Sequence, residues 1–125
     1  MPVFIASDLQ GQHLKSYVKK MLEDNKCEVF DMGFVGESNY SKVADIINSN
    51  PEWLAIVFCE NANCFNLLFN SGRYTNIRSV LALPDGQFDM WTAKNKHGAN
   101  VLCFSSSCSK LYPYVTGIVS NFIAI

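Results

Sequence analysis

The sequence predicts a three-layer α/β/α sandwich around a five-stranded parallel sheet, in a single domain spanning residues 1–125. Three observations predict it. Short apolar runs alternate with stretches whose apolar residues recur every three or four positions. The run Trp53–Cys59 is apolar at every position, as suits a central strand buried on both faces. No repeat, linker or low-complexity block interrupts the alternation, so each strand feeds a helix and returns to the sheet by a right-handed crossover.

The elements follow in order. Val3–Ala6 is a buried first strand that ends at Ser7-Asp8. Leu14, Tyr17, Val18, Met21 and Leu22 are spaced as one face of a helix, with Lys15, Lys19, Lys20 and Glu23 on the solvated side and Asp24-Asn25 closing it. Cys27–Asp31 is a second strand and Met32–Asn39 a loop. A helix follows over Tyr40–Asn48, with Val43, Ala44, Ile46 and Ile47 inward and Asn39 or Ser41 as its cap. Asn50-Pro51 ends it, because the residue before proline disfavours helix. After the third strand, Asn63–Asn70 is a short helix, Ile77–Leu83 a fourth strand, Asp85–Lys96 a longer helix and Val101–Phe104 a fifth strand. The last helix starts near Ser109, and Pro113 is tolerated because it lies in the first turn.

Composition narrows the function. The chain is 49% apolar and 17% charged with a net charge of −1, and its charges are scattered. That pattern excludes a basic stripe for nucleic acid and a polybasic membrane anchor. No apolar run reaches the length of a membrane span. The N-terminus shows no basic segment with a cleavage site, so the expected location is the cytoplasm. Five cysteines, Cys27, Cys59, Cys64, Cys103 and Cys108, are then expected to be reduced thiols. Two pairs share a C-x4-C spacing, but structural zinc sites favour C-x2-C, so no metal is expected.

In an open parallel sheet, ligands bind beyond the carboxyl ends of the strands. Here those loops are Ser7–Gly11, Cys59–Cys64, Leu83–Gly86 and Ser105–Cys108, and the first two carry Asp8, Cys59 and Glu60. No G-x-G-x-x-G or Walker loop follows a strand, so no nucleotide cofactor is expected.

The order of these pieces resembles a known family. Ser7-Asp8 with Gly11 after the first strand, Cys59 ending the third, Ile77-Arg78 opening the fourth and Ala99-Asn100-Val101-Leu102 in the fifth are similar to ribose-5-phosphate isomerase type B and its galactose-6-phosphate isomerase relatives. Asp31 followed by Gly33, and Asn39-Tyr40 where the family commonly has Asp-Tyr, add to the likeness. The resemblance implies a Rossmann-like sheet in the order 2-1-3-5-4, with the first and third strands side by side. It implies aldose–ketose isomerisation of a phosphorylated pentose or hexose through an enediolate, without a cofactor. By the same resemblance Cys59 is the proton-transfer base and Asp8 lines the substrate crevice; Tyr40, Asn61 and Asn63 are candidate substrate contacts, Lys96 is a candidate phosphate contact and His97 a candidate to recover a lost catalytic histidine.

The chain also departs from the family pattern. Leu9 stands where the family has histidine, and Glu60–Cys64 replaces a glycine-rich loop. The histidine expected after the fourth strand is replaced around Leu83-Pro84, Lys96-His97 takes the place of a His-Asn step, and the arginine-bearing tail is missing, leaving only Arg73 and Arg78. These exchanges imply weak or absent turnover of ribose 5-phosphate. They admit a second class of function, a non-catalytic relative that serves as a partner subunit or small-ligand binding module. An apolar terminus, Phe122–Ile125, and the family habit of pairing predict a homodimer or larger oligomer, or assembly with a paralogous subunit.

Overall fold

The structure is a computed structural model that describes residues 2–36, 39–60, 66, 69–82, 98–105 and 112–123. Five strands form one parallel sheet: β1 (Pro2–Ser7), β2 (Glu28–Phe34), β3 (Leu54–Cys59), β4 (Ser79–Ala82) and β5 (Val101–Ser105). Their order is β2-β1-β3-β5-β4, with β3 at the centre. Side chains alternate across it. Val3, Ile5, Ile56, Phe58, Leu102 and Phe104 pack on one face against the helices α1 (Gln12–Asp24) and α3 (Tyr112–Ile123). Phe4, Ala6, Ala55, Val57, Cys59 and Cys103 pack on the other against α2 (Tyr40–Asn48). These are the three layers that the sequence predicts.

Several local expectations are corrected. Lys15 is buried, not solvated, because its ammonium reaches the Asp31 carboxylate on β2 at 3.0 Å. Tyr17 is 43% exposed and lies over the Tyr112 ring of α3, with centroids 4.3 Å apart. Ile46, expected inward, is exposed on α2. Asn39 is the residue before α2, but its side chain does not cap the helix; it bonds the preceding turn instead. The second strand does not stop at Asp31. It runs on to Phe34 through a bulge, since Ile5 pairs with Asp31 but Ser7 pairs with Phe34. Gly33 takes the positive φ of +78° that this bulge needs.

The fourth strand begins at Ser79, two residues later than expected. The Asn100 side chain accepts the Arg78 N–H at 2.8 Å, replacing a strand partner there. Pro113 does sit in the first turn of α3. The helix expected at Asp85–Lys96, most of the one at Asn63–Asn70 and the start expected near Ser109 lie outside the described residues.

Candidate functional site

The site is built where β1 and β3 end side by side. Their pairing runs from Val3–Leu54 to Ser7–Phe58, so Asp8 emerges beside Cys59 and Glu60. Asp8 holds this junction with three hydrogen bonds. Its N–H donates to the Phe58 carbonyl at 3.1 Å. Its Oδ1 accepts the Gly11 N–H at 2.8 Å and its Oδ2 accepts the Glu60 N–H at 2.7 Å. Carboxylate bonds of this kind are charge-assisted and stronger than neutral ones. One side chain therefore fixes both the turn into α1 and the first residue beyond β3.

Gly11 makes that approach possible. A Cβ at this position would lie 2.7 Å from the Phe58 carbonyl carbon and 2.9 Å from its Cβ. Only a residue without a side chain lets the start of α1 press so closely on the central strand.

Cys59 is the last residue of β3, and the alternation turns it toward the α2-side core. It is 1% exposed. Burial pushes its thiol well above the ordinary value of 9.0, and the nearby Cys103 and Asp8 charges push the same way. Cys103, on β5, pairs with Val57 and so lies one pleat back on the same face. Burial pushes its thiol up to about 12, partly offset by a 3.3 Å contact with the Ser79 hydroxyl. Cys27, Cys59 and Cys103 are free thiols. Tyr40 opens α2 and packs against the same core as Cys59, and Glu60 is exposed. The structure thus brings Asp8 and Cys59 together at neighbouring strand ends. Asn61, Asn63, Lys96 and His97 lie outside the described residues.

A cavity of about 350 Å³ opens on the outer side of Asp8, lined by Ser7, Asp8, Leu9, Gln12, Lys15, Gly33 and Phe34. Lys15, Gly33 and Phe34 had no functional role in the sequence reading. The available signal was the stretch Gly33-Phe34-Val35-Gly36, in which an aromatic residue sits between two glycines with no periodic partner. Lys15 is tied to Asp31, which Lys19 also approaches at 3.6 Å and whose Oδ1 accepts the Gly33 N–H at 2.7 Å. Burial raises the Asp31 carboxyl, but the Lys15 and Gly33 hydrogen bonds and the two lysine charges together outweigh it, leaving it below 3.8.

With this geometry in place, comparison with known proteins is direct. The family model described as ribose/galactose isomerase matches residues 3–124. The chain belongs to the ribose/galactose isomerase family. Among curated members, the "probable ribose-5-phosphate isomerase B" of Mycoplasma pneumoniae is 31% identical over 112 residues, covering 84% of this chain and 71% of that protein. Solved structures of this family agree in fold. Ribose-5-phosphate isomerase B of Clostridium thermocellum superposes with a TM-score of 0.79 at 21% identity, over 98% of this chain and 84% of that one. The Thermotoga maritima enzyme gives 0.77 at 27% identity, over 98% and 85%.

Proposed function

We propose that this protein is a divergent sugar-phosphate isomerase that interconverts a phosphorylated pentose or hexose between aldose and ketose through an enediolate. The observation that carries the reading is the junction of β1 and β3. In a chain matched to the family over nearly its whole length, Asp8 ties the two strand-end loops together directly beside Cys59. The chemistry needs a base that takes a proton from C2 of the aldose and returns it to C1, while the hydroxyl proton moves from O2 to O1. In our reading Cys59 is that base. Asp8 and Tyr40 bind substrate hydroxyls with Asn61 and Asn63, Lys96 meets the phosphate, and His97 assists the proton transfers. No resident cofactor or metal enters the scheme.

A thiol pushed above its ordinary value is scarcely ionised at neutral pH. Turnover is therefore expected to rise with pH through the alkaline range. The same burial favours the second reading, a non-catalytic partner subunit or small-ligand module, since a protonated thiol facing the core is a poor base. We place the protein in the cytoplasm, in keeping with the absence of any membrane-spanning helix among the described residues. We also expect a homodimer or larger assembly, with itself or with a paralogous subunit. The apolar terminus gives this less support than the sequence implied, because Phe122 and Ile123 pack into the chain's own core.

The test is an isomerase assay over phosphorylated pentoses and hexoses, with and without candidate partner subunits. Cys59→Ala is expected to remove turnover and Cys64→Ala to retain it. Full activity in Cys59→Ala rejects the base. A folded protein with no turnover on any sugar phosphate supports the non-catalytic alternative.

A further inference from the structure

The cavity beside Asp8 has an unusual wall. Phe34 is 62% exposed and Leu9 is 68% exposed, and both large apolar side chains border it. A single exposed apolar residue needs no explanation. Phe34 differs because its backbone is fastened from every side. The N–H of the preceding Gly33 donates to Asp31, and Asp31 is held in turn by Lys15. The Phe34 carbonyl accepts the Asn39 side-chain amide at 3.0 Å. The Val35 N–H donates to the Ser7 carbonyl at 2.8 Å, and the Gly36 N–H donates to Asn39 Oδ1 at 2.7 Å. The ring itself lies against Gly36, where an added Cβ would sit 3.3 Å from Cε1. The segment thus displays an exposed aromatic ring at a cavity mouth from a backbone held by hydrogen bonds on both sides.

The polar lining defines the ligand. Lys15 is paired with Asp31, a carboxylate that Lys19 also approaches, and Asp8 already accepts two backbone N–H groups. The lining side chains then present one carboxylate, the Gln12 amide and the Ser7 hydroxyl, and the described lining cation, Lys15, is engaged by Asp31. Such a lining is poorly suited to a phosphate and well suited to hydroxyl groups. The apolar jaws accept the C–H edge of the same molecule. We infer that this cavity binds the hydroxyl-bearing carbon chain of the sugar substrate, with Phe34 and Leu9 as specificity-determining walls. The inference rests on the isomerase reading for its ligand, but its geometry is independent of Cys59.

The test uses the full chain and resonances of the Leu9 methyls, the Phe34 ring and the Glu60 amide. Three probes are titrated separately: ribose 5-phosphate, ribitol and inorganic phosphate. We expect the sugar phosphate and ribitol to shift Leu9 and Phe34, and inorganic phosphate to leave them unmoved. Phe34→Ala should weaken ribitol binding by roughly tenfold, as the loss of an apolar wall implies, and Phe34→Tyr should restore it. Should turnover be present, Phe34→Ala should raise KM while changing kcat little. Shifts at Leu9 and Phe34 without turnover of any sugar phosphate uphold this site and remove the isomerase reading. Shifts at Glu60 with Leu9 and Phe34 unmoved overturn this inference and leave the isomerase intact. An unchanged affinity in Phe34→Ala, or shifts produced by inorganic phosphate alone, also overturn it.

Discussion

Replacing Gly11 with alanine sets two effects against each other. The φ of Gly11 is −88°, which alanine adopts without strain. On backbone grounds alone, Gly→Ala should then stabilise the fold by about 0.4–1 kcal/mol. Packing gives the opposite sign. The new methyl would stand 2.7 Å from the Phe58 carbonyl carbon and 2.9 Å from its Cβ. These atoms belong to the central strand or are anchored directly to it, and cannot rotate aside. Over-packing of this kind costs about 1–3 kcal/mol. If the start of α1 moves to relieve it, the Gly11 N–H leaves Asp8, and a hydrogen bond to a charged group is worth about 1.5–3 kcal/mol. Since the two costs overlap, we expect a net loss of roughly 2–4 kcal/mol. Urea unfolding reads it: with a slope of about 1–3 kcal/mol/M, the midpoint should fall by roughly 1–2 M. The Glu60 amide resonance should move as well, because Asp8 carries the disturbance across to β3. A midpoint that stays the same or rises would refute the close approach of α1 to β3.

Other outcomes follow from the same structure. The Cys59 and Cys103 thiols both lie above 9.0 in the folded chain, so the folded state keeps protons that the unfolded state releases. Stability is therefore complete below about pH 9 and falls as pH rises toward 12, by at most about 1.4 kcal/mol per pH unit for each thiol; Cys103→Ala should flatten part of that slope. Asp31 lies below 3.8, so its contribution is present above that pH and is lost as the pH falls through the folded value; Asp31→Asn should remove this acid-dependent part in a pH series of unfolding curves. The Asn70 side chain donates to the Ser79 carbonyl and accepts the Ser79 N–H on the outer side of edge strand β4. Asn70→Ala should cost about 1–3 kcal/mol and bare that edge, which light scattering would detect as concentration-dependent association. A monodisperse variant of unchanged stability would contradict this role.

The sheet was legible because a parallel strand buried on both faces must be apolar at nearly every position. Val3–Ala6, Trp53–Cys59 and Val101–Phe104 are such segments, and each lies within a residue of an observed strand. Features that depend on a distant partner were not legible. Lys15 reads as a surface lysine until Asp31 is brought beside it by the β1–β2 pairing. Met32–Phe34 read as loop because its glycine and alternation break hide a strand that continues through a bulge. Ile77 and Arg78 read as strand because they are followed by apolar residues, but the Asn100 amide occupies the Arg78 N–H. The same division holds at the site. Asp8 and Cys59 follow from the rule that ligands gather at strand ends. The three bonds that Asp8 makes, the inward turn of Cys59 and the fastened backbone of Phe34 are tertiary facts that no spacing encodes.

Proton transfer between neighbouring carbons of a sugar phosphate is the central claim, and solvent-exchange NMR measures it most directly. The protein is incubated in deuterium oxide with each of a set of phosphorylated pentoses and hexoses, from pH 6 to 10, and incorporation of deuterium at the carbon beside the carbonyl is followed together with product formation. We expect incorporation and turnover on at least one substrate, weak on ribose 5-phosphate, rising with pH as the Cys59 thiol ionises and absent in Cys59→Ala. Full exchange in Cys59→Ala, or no exchange with any sugar phosphate by the correctly folded protein, would contradict it.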